Sequence, residues 1–194
     1  MKQVSDHTGE HLHNLHKHQP DEDTLLKMID NVPSSLSYED DDGYLPIEIA
    51  VEYMESVHYV PLLAKEGVKH NVGGDDARGG LLLGGHNVLQ VFASYSGHID
   101  ADPLYLDVMK KLRKSKLLLK EDIQDHNLLY WACYAENPMR FEFLADWCPE
   151  GLKTHQYKGH PLIHTIIDEL EIEWFSTFLK TALRYHPNDL GLLF

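Results

Sequence analysis

The stretch Asp41-Asp42-Gly43-Tyr44-Leu45-Pro46-Ile47-Glu48-Ile49-Ala50 constrains the fold of this chain more than any other. A polar turn, with Gly43 free to adopt left-handed backbone, feeds directly into a short apolar helix. Pro46 suits the first helical position, where its fixed φ is already helical and its missing N–H costs nothing. Ile47, Ala50 and Val51 follow at helical spacing, with Ile49 beside them. So short a helix cannot bury that face alone and needs a neighbour. Three later stretches repeat the arrangement: Gly84-Gly85-His86-Asn87-Val88-Leu89-Gln90-Val91-Phe92-Ala93, Asp125-His126-Asn127-Leu128-Leu129-Tyr130-Trp131-Ala132 and Tyr157-Lys158-Gly159-His160-Pro161-Leu162-Ile163-His164-Thr165. Aligned at Ala50, Phe92, Ala132 and Thr165 they advance by 42, 40 and 33 residues, a period typical of stacked repeats.

A turn with Asp and Gly, a Pro-Leu pair opening a short helix and a second amphipathic helix behind it resemble the ankyrin repeat over roughly residues 20 to 186. The leucine position is filled by Ile47, Leu89, Leu129 and Leu162, the proline position by Pro46, Val88, Leu128 and Pro161. Asn87 and Asn127 are suited to cap the first turn, whereas Leu45 and His160 are not. The histidine position holds Glu48, Gln90, Tyr130 and Ile163, a departure from the repeat pattern. The resemblance implies an all-α, ankyrin-like solenoid of about four helix-turn-helix repeats, a capping N-terminal helix and one long Gly-rich insertion. The expected division is a His-rich polar head of residues 1–20, a repeat domain of 21–189 and an apolar tail of 190–194. Repeats fall near 21–43, 44–85, 86–125, 126–158 and 159–187.

At 194 residues, 43% apolar and 25% charged, the composition is that of an ordinary globular domain. The formal charge of −14 argues against nucleic-acid binding, which needs clustered Lys and Arg, and favours a partner that is basic at its contact. Two cysteines, Cys133 and Cys148, are too few for a disulfide framework and suit a reducing compartment, cytoplasmic or nuclear. Neither a secretory h-region nor a transmembrane run of ~20 apolar residues is present, so an intracellular, soluble protein is expected.

Along the chain, His7, His11, His13, His16 and His18 mark the head, either a mobile tail or a short helix pinned by Leu12 and Leu15. Asp21-Glu22-Asp23 opens a helix that Pro33 ends. Val57 to Lys65 forms an outer helix entered at Pro61. Residues Gly67 to Gly85 read as a long connector, either a plain insertion or a binding loop. Asp102 and Pro103 start a helix with Tyr105, Val108, Met109 and Leu112 on its apolar face. Lys110, Lys111, Arg113, Lys114 and Lys116 lie opposite, either as a solvated face or as a docking patch. Asn137-Pro138 starts another outer helix, and Ile172 to Tyr185 forms the last.

Tests for chemistry are negative. The acidic run before Gly43 is no EF-hand, because the loop would begin at Tyr38 and end at Ile49. No nucleophile elbow, His-Glu-x-x-His or Cys-x-x-Cys occurs. Cys148, His155, His160 and His164 lack paired zinc-ligand spacing. His164 and Cys133 read as core residues. No catalytic residue, metal site or cofactor is expected. The expected function is a non-enzymatic interaction module or scaffold that binds another protein, basic or helical at the contact. The contacts are expected at Asp41, Asp42, Tyr44, Asp75 and Asp76, at Lys110, Lys111, Arg113 and Lys114, and at Trp131 and Tyr134. Two alternatives are an accessory subunit of a larger assembly and a metal-binding or enzymatic protein using the His-rich head.

Overall fold

The computed structural model describes residues 2–95, 102–154, 156–157, 160–164 and 172–188. Nearly all their regular structure is helical. The exception is a two-residue antiparallel ladder pairing Gln156 with Pro161 and Tyr157 with His160. The all-α class therefore holds. The expected tail at 190–194 and the stretch from Thr165 to Leu170 lie outside the described residues. The chain forms two compact units, residues 1–91 with 107–117 and residues 92–106 with 118–194.

In the first unit the head is helical: α1 (Lys2–His13) and α2 (Leu15–His18). Of the two readings of the head, the mobile tail is corrected. Leu12 and Leu15 are fully buried, and α1 packs on the helix that opens at Pro46 and on a 3₁₀ turn at Pro33–Ser37. His13 faces inward, its two ring nitrogens 2.9 Å from the carbonyls of Gly9 and Tyr44. His16 stacks on Tyr53 at 4.0 Å. Next comes α3 (Glu22–Asn31), capped by Asp21, whose carboxylate accepts from the Thr24 N–H at 2.8 Å. Leu25 and Ile29, one turn apart, are its buried stripe.

Pro46 opens α4 (Pro46–Glu52) as the sequence requires. Leu45 offers no capping oxygen, but Glu48 supplies half a capping box, its Oε2 accepting from the Leu45 N–H at 2.7 Å. A 3₁₀ turn (Val57–Tyr59) leads through Pro61 into α5 (Val60–Lys69). The Gly67–Gly85 connector does not project as an insertion. Its 3₁₀ segment Asp75–Gly80 lies flat on α5, with Val72, Ala77 and Leu81 buried. Glycine makes this possible. A Cβ on Gly67 would strike the Gly79 carbonyl, and one on Gly79, at φ +68°, would strike the Ala64 carbonyl. Then follow α6 (Val88–Ser94) and α7 (Asp102–Lys114), each contributing residues to both units. Asn87 completes a reciprocal capping box with Gln90 on α6, at 3.1 and 3.0 Å.

The second unit continues with α8 (Asp122–Asp125), α9 (Leu128–Tyr134), α10 (Pro138–Trp147), α11 (Gly151–Thr154) and α12 (Ile172–Tyr185). Leu129, Ala132, Phe141, Leu144 and Phe178 form its centre, with the Phe141 ring 6.1 Å from Phe178 and 6.5 Å from Trp174. Asn127 does not cap α9 with its side chain. It takes left-handed backbone (φ 55°) and turns the chain between α8 and α9, a conformation asparagine tolerates.

Asn137 precedes α10 as expected, yet its side chain makes no cap either. Its Nδ2 donates to the carbonyls of Ala93 (3.3 Å) and Tyr95 (3.0 Å) at the end of α6. Arg140, 1% exposed, does the same from one turn further along. Its Nε donates to Asp102 Oδ1 at 2.6 Å, Nη1 to the Phe92 carbonyl and Nη2 to the Tyr95 carbonyl at 2.5 Å. Burial lowers the guanidinium pKa while Asp102 pulls it back up. Asp102, expected as a helix cap, thus serves as the counterion of a buried arginine. Orphan carbonyls ending α6 find their donors on α10.

Candidate functional site

The turn before α4 is held by its own first residue. Asp40 Oδ1 accepts from the N–H groups of Asp42 (3.0 Å) and Tyr44 (2.9 Å). Main-chain bonds join Asp40 N–H to the Tyr44 carbonyl and Gly43 N–H to the Asp40 carbonyl, both 3.0 Å. Gly43 sits at φ +84°, and the space around it is open, so the backbone conformation and not crowding requires glycine there. The Tyr44 carbonyl is the one that His13 reaches. The result is a braced tip with Asp41 and Asp42 in solvent and Tyr44 48% exposed, while the next residue, Leu45, is buried. Three of the expected contact residues therefore share one rigid turn. Asp75 and Asp76, also exposed, open the 3₁₀ segment lying on α5.

On α7 the apolar face is as the spacing predicts: Tyr105, Val108, Met109 and Leu112 are buried. Lys110, Lys111, Arg113 and Lys114 are exposed. The patch is less basic than the sequence suggests, because Lys111 Nζ pairs with Asp107 at 2.8 Å. Lys111 also lines a groove of about 440 Å³ with residues of α3, α5 and the turn between α4 and α5. Leu26, Pro61 and Leu62 give the groove apolar walls, and Glu22, Lys65 and Glu66 give it charge of both signs. His58 lines it too. Burial holds the His58 imidazole below its usual pKa, against a smaller upward pull from Glu22. Leu26, His58 and Leu62 were not marked by the sequence, where they read as ordinary helix residues.

In the second unit Trp131 and Tyr134 come together with Tyr130 on α9. The ring centroids are 5.1 Å (Tyr130 to Trp131), 5.9 Å (Tyr130 to Tyr134) and 6.1 Å (Trp131 to Tyr134). Tyr130 is buried, Trp131 half-buried and Tyr134 54% exposed, so the cluster runs from core to surface. Such amphipathic rings, rigid and part-exposed, are favoured at protein contacts.

Among the described residues one group of three potential metal ligands converges: Asp30, Glu66 and His70. The histidines of the head do not form such a group. His7 and His11 stand edge to face at 4.6 Å, and His13 and His16 are engaged in packing. Both cysteines are free thiols and buried, and burial pushes the Cys133 thiol far above its usual range. Cys133 therefore offers no thiolate for nucleophilic chemistry. No helix among the described residues is long and apolar enough to cross a membrane.

Compared with known proteins, the chain matches no family model, no curated protein and no solved structure.

Proposed function

We propose that this protein is a non-enzymatic interaction module, built on ankyrin-like helix pairs, that holds another protein through its turn tips and short-helix faces. The observation that carries this reading is the braced turn at Asp40–Tyr44. Four hydrogen bonds tie the turn to itself, so an exposed tyrosine between an acidic tip and a buried leucine is presented with little freedom left to lose on binding. A recurring short helix followed by a longer one, beginning at Pro46, Val88 and Leu128, supports the ankyrin-like scaffold. The Trp131 and Tyr134 cluster supports a second contact. The partner is a protein, basic or helical at its contact, and not a nucleic acid, given the charge of −14 and the two acids at the tip. Two buried free thiols agree with a reducing compartment, cytoplasmic or nuclear.

The full chain used as bait in native extract, with captured proteins identified by mass spectrometry, tests this. Asp41→Lys with Asp42→Lys, and separately Tyr44→Ala, should each cut recovery of a specific partner by about tenfold, the loss expected for a contact worth about 1.4 kcal/mol. Recovery from wild type should also fall as salt rises. A captured set unchanged by these variants and by Trp131→Ala with Tyr134→Ala would overturn the reading.

A further inference from the structure

We propose that Asp30, Glu66 and His70 bind a divalent transition-metal ion of the zinc type, fastening the last turn of α3 to the last turn of α5. Nothing in this depends on the interaction reading above. Asp30 lies at the end of α3, Glu66 stands in the last turn of α5, and His70 caps that helix one residue past its end. One ligand atom from each lies within 4.8 Å of the other two. Imidazole nitrogen and carboxylate oxygen are both zinc ligands, and three protein donors leave a fourth position for water.

One feature shows that ordinary packing leaves this cluster unsatisfied. His70 Nε2 is buried and has no hydrogen-bond partner. It points at Glu66 Oε2 from 3.9 Å, too far for a hydrogen bond. Buried polar nitrogens without partners are rare and call for a reason. Glu66 is itself 6% exposed, and a carboxylate so buried needs a cation beside it.

The cation now beside it is Lys69. Its Nζ lies 2.9 Å from Glu66 and 3.3 Å from Asp30, and does not satisfy His70. One ammonium offsets one of two carboxylate charges; a divalent ion would offset both and engage the imidazole as well. With zinc bonds of about 2.0–2.1 Å, neighbouring donors in a tetrahedral shell stand about 3.3 Å apart, so Glu66 and His70 close by roughly 0.6 Å. The Lys69 side chain is 55% exposed and can swing into solvent without disturbing the core. Lysine and metal therefore compete for one position, which makes the proposal specific.

The test uses the full chain purified without a histidine-affinity step and titrated with zinc chloride. Binding is followed by calorimetry and by the thermal midpoint, with Co2+ in place of zinc as a visible probe of donor geometry. Wild type should bind one equivalent and melt at a higher temperature with zinc. Asp30→Asn, at an exposed position that leaves folding intact, and His70→Ala should each weaken binding at least tenfold and abolish the rise. Lys69→Met should tighten binding about tenfold. Equal binding by wild type, Asp30→Asn and His70→Ala would place the metal elsewhere on the chain and overturn the proposal. So would a Lys69→Met variant that binds no more tightly than wild type.

Discussion

Single residues in this protein often do something other than their local signal suggests, and Gly79 is the sharpest case. In the sequence it belongs to a glycine-rich connector. In the fold its missing Cβ lets one backbone lie against the Ala64 carbonyl of α5. Gly79→Ala should therefore destabilise the first unit by about 2–5 kcal/mol, combining overpacking of ~1–3 kcal/mol with ~1–2 kcal/mol for left-handed backbone. Gly85→Ala, where a Cβ would meet nothing, is the matched control and should be near neutral. Urea denaturation of the two variants measures the contrast. Similar small losses in both would mean that the connector is not packed as described.

At the scale of elements the head is where the structure chooses between two readings, taking the helix pinned by Leu12 and Leu15 over the mobile tail. Five histidines in eighteen residues suit a mobile tail as well as a helix pinned by Leu12 and Leu15, and in the fold His18 is exposed while His13 is buried. Leu12 and Leu15 are lost from water completely. Leu15→Ala and Leu12→Ala should each cost about 2–5 kcal/mol, the range for removing a buried leucine side chain. Substitutions in an unpacked tail stay within about 0.5 kcal/mol, so denaturant midpoints decide between the two. Elsewhere the elements fall where their punctuation puts them. Pro46, Pro61 and Pro138 each stand in the first turn of a helix, and Asp21 and Asn87 cap theirs. Those signals act within three or four residues, and no distant packing overrides them.

At the scale of the whole molecule, stability is linked to pH through half-buried imidazoles. Burial lowers the pKa of His58 and of His16 below the usual 6.5, so the folded protein binds fewer protons than the unfolded chain just below that pH. Stability is therefore full above about pH 6.5 and falls as pH drops through 6.5 toward the folded values. The thermal midpoint should decline on acidification from pH 7.5 to 5.5, and His58→Gln with His16→Gln should flatten that decline. A midpoint equally steep in the double variant would assign the dependence to other groups.

The all-α class, the helix starts and the apolar faces of α3, α7 and α10 follow from residues a few positions apart, because helix caps, proline and 3.6-residue periodicity are local devices. The partners of Asn137, Arg140, Asp102 and His13 do not follow from them. Each looks like a cap, a surface charge or a tail histidine until the chain is folded. Arg140 reaches a carbonyl 48 residues away, and His13 one that is 31 residues away. The same holds for the sites. Asp41, Asp42 and Tyr44 share a turn that the sequence announces, and Glu66 and His70 stand four residues apart at the end of one helix. Asp30 joins that pair only because α3 and α5 lie side by side. Burial decides which polar groups must find a partner, and burial is a property of packed elements that no neighbouring residue can set.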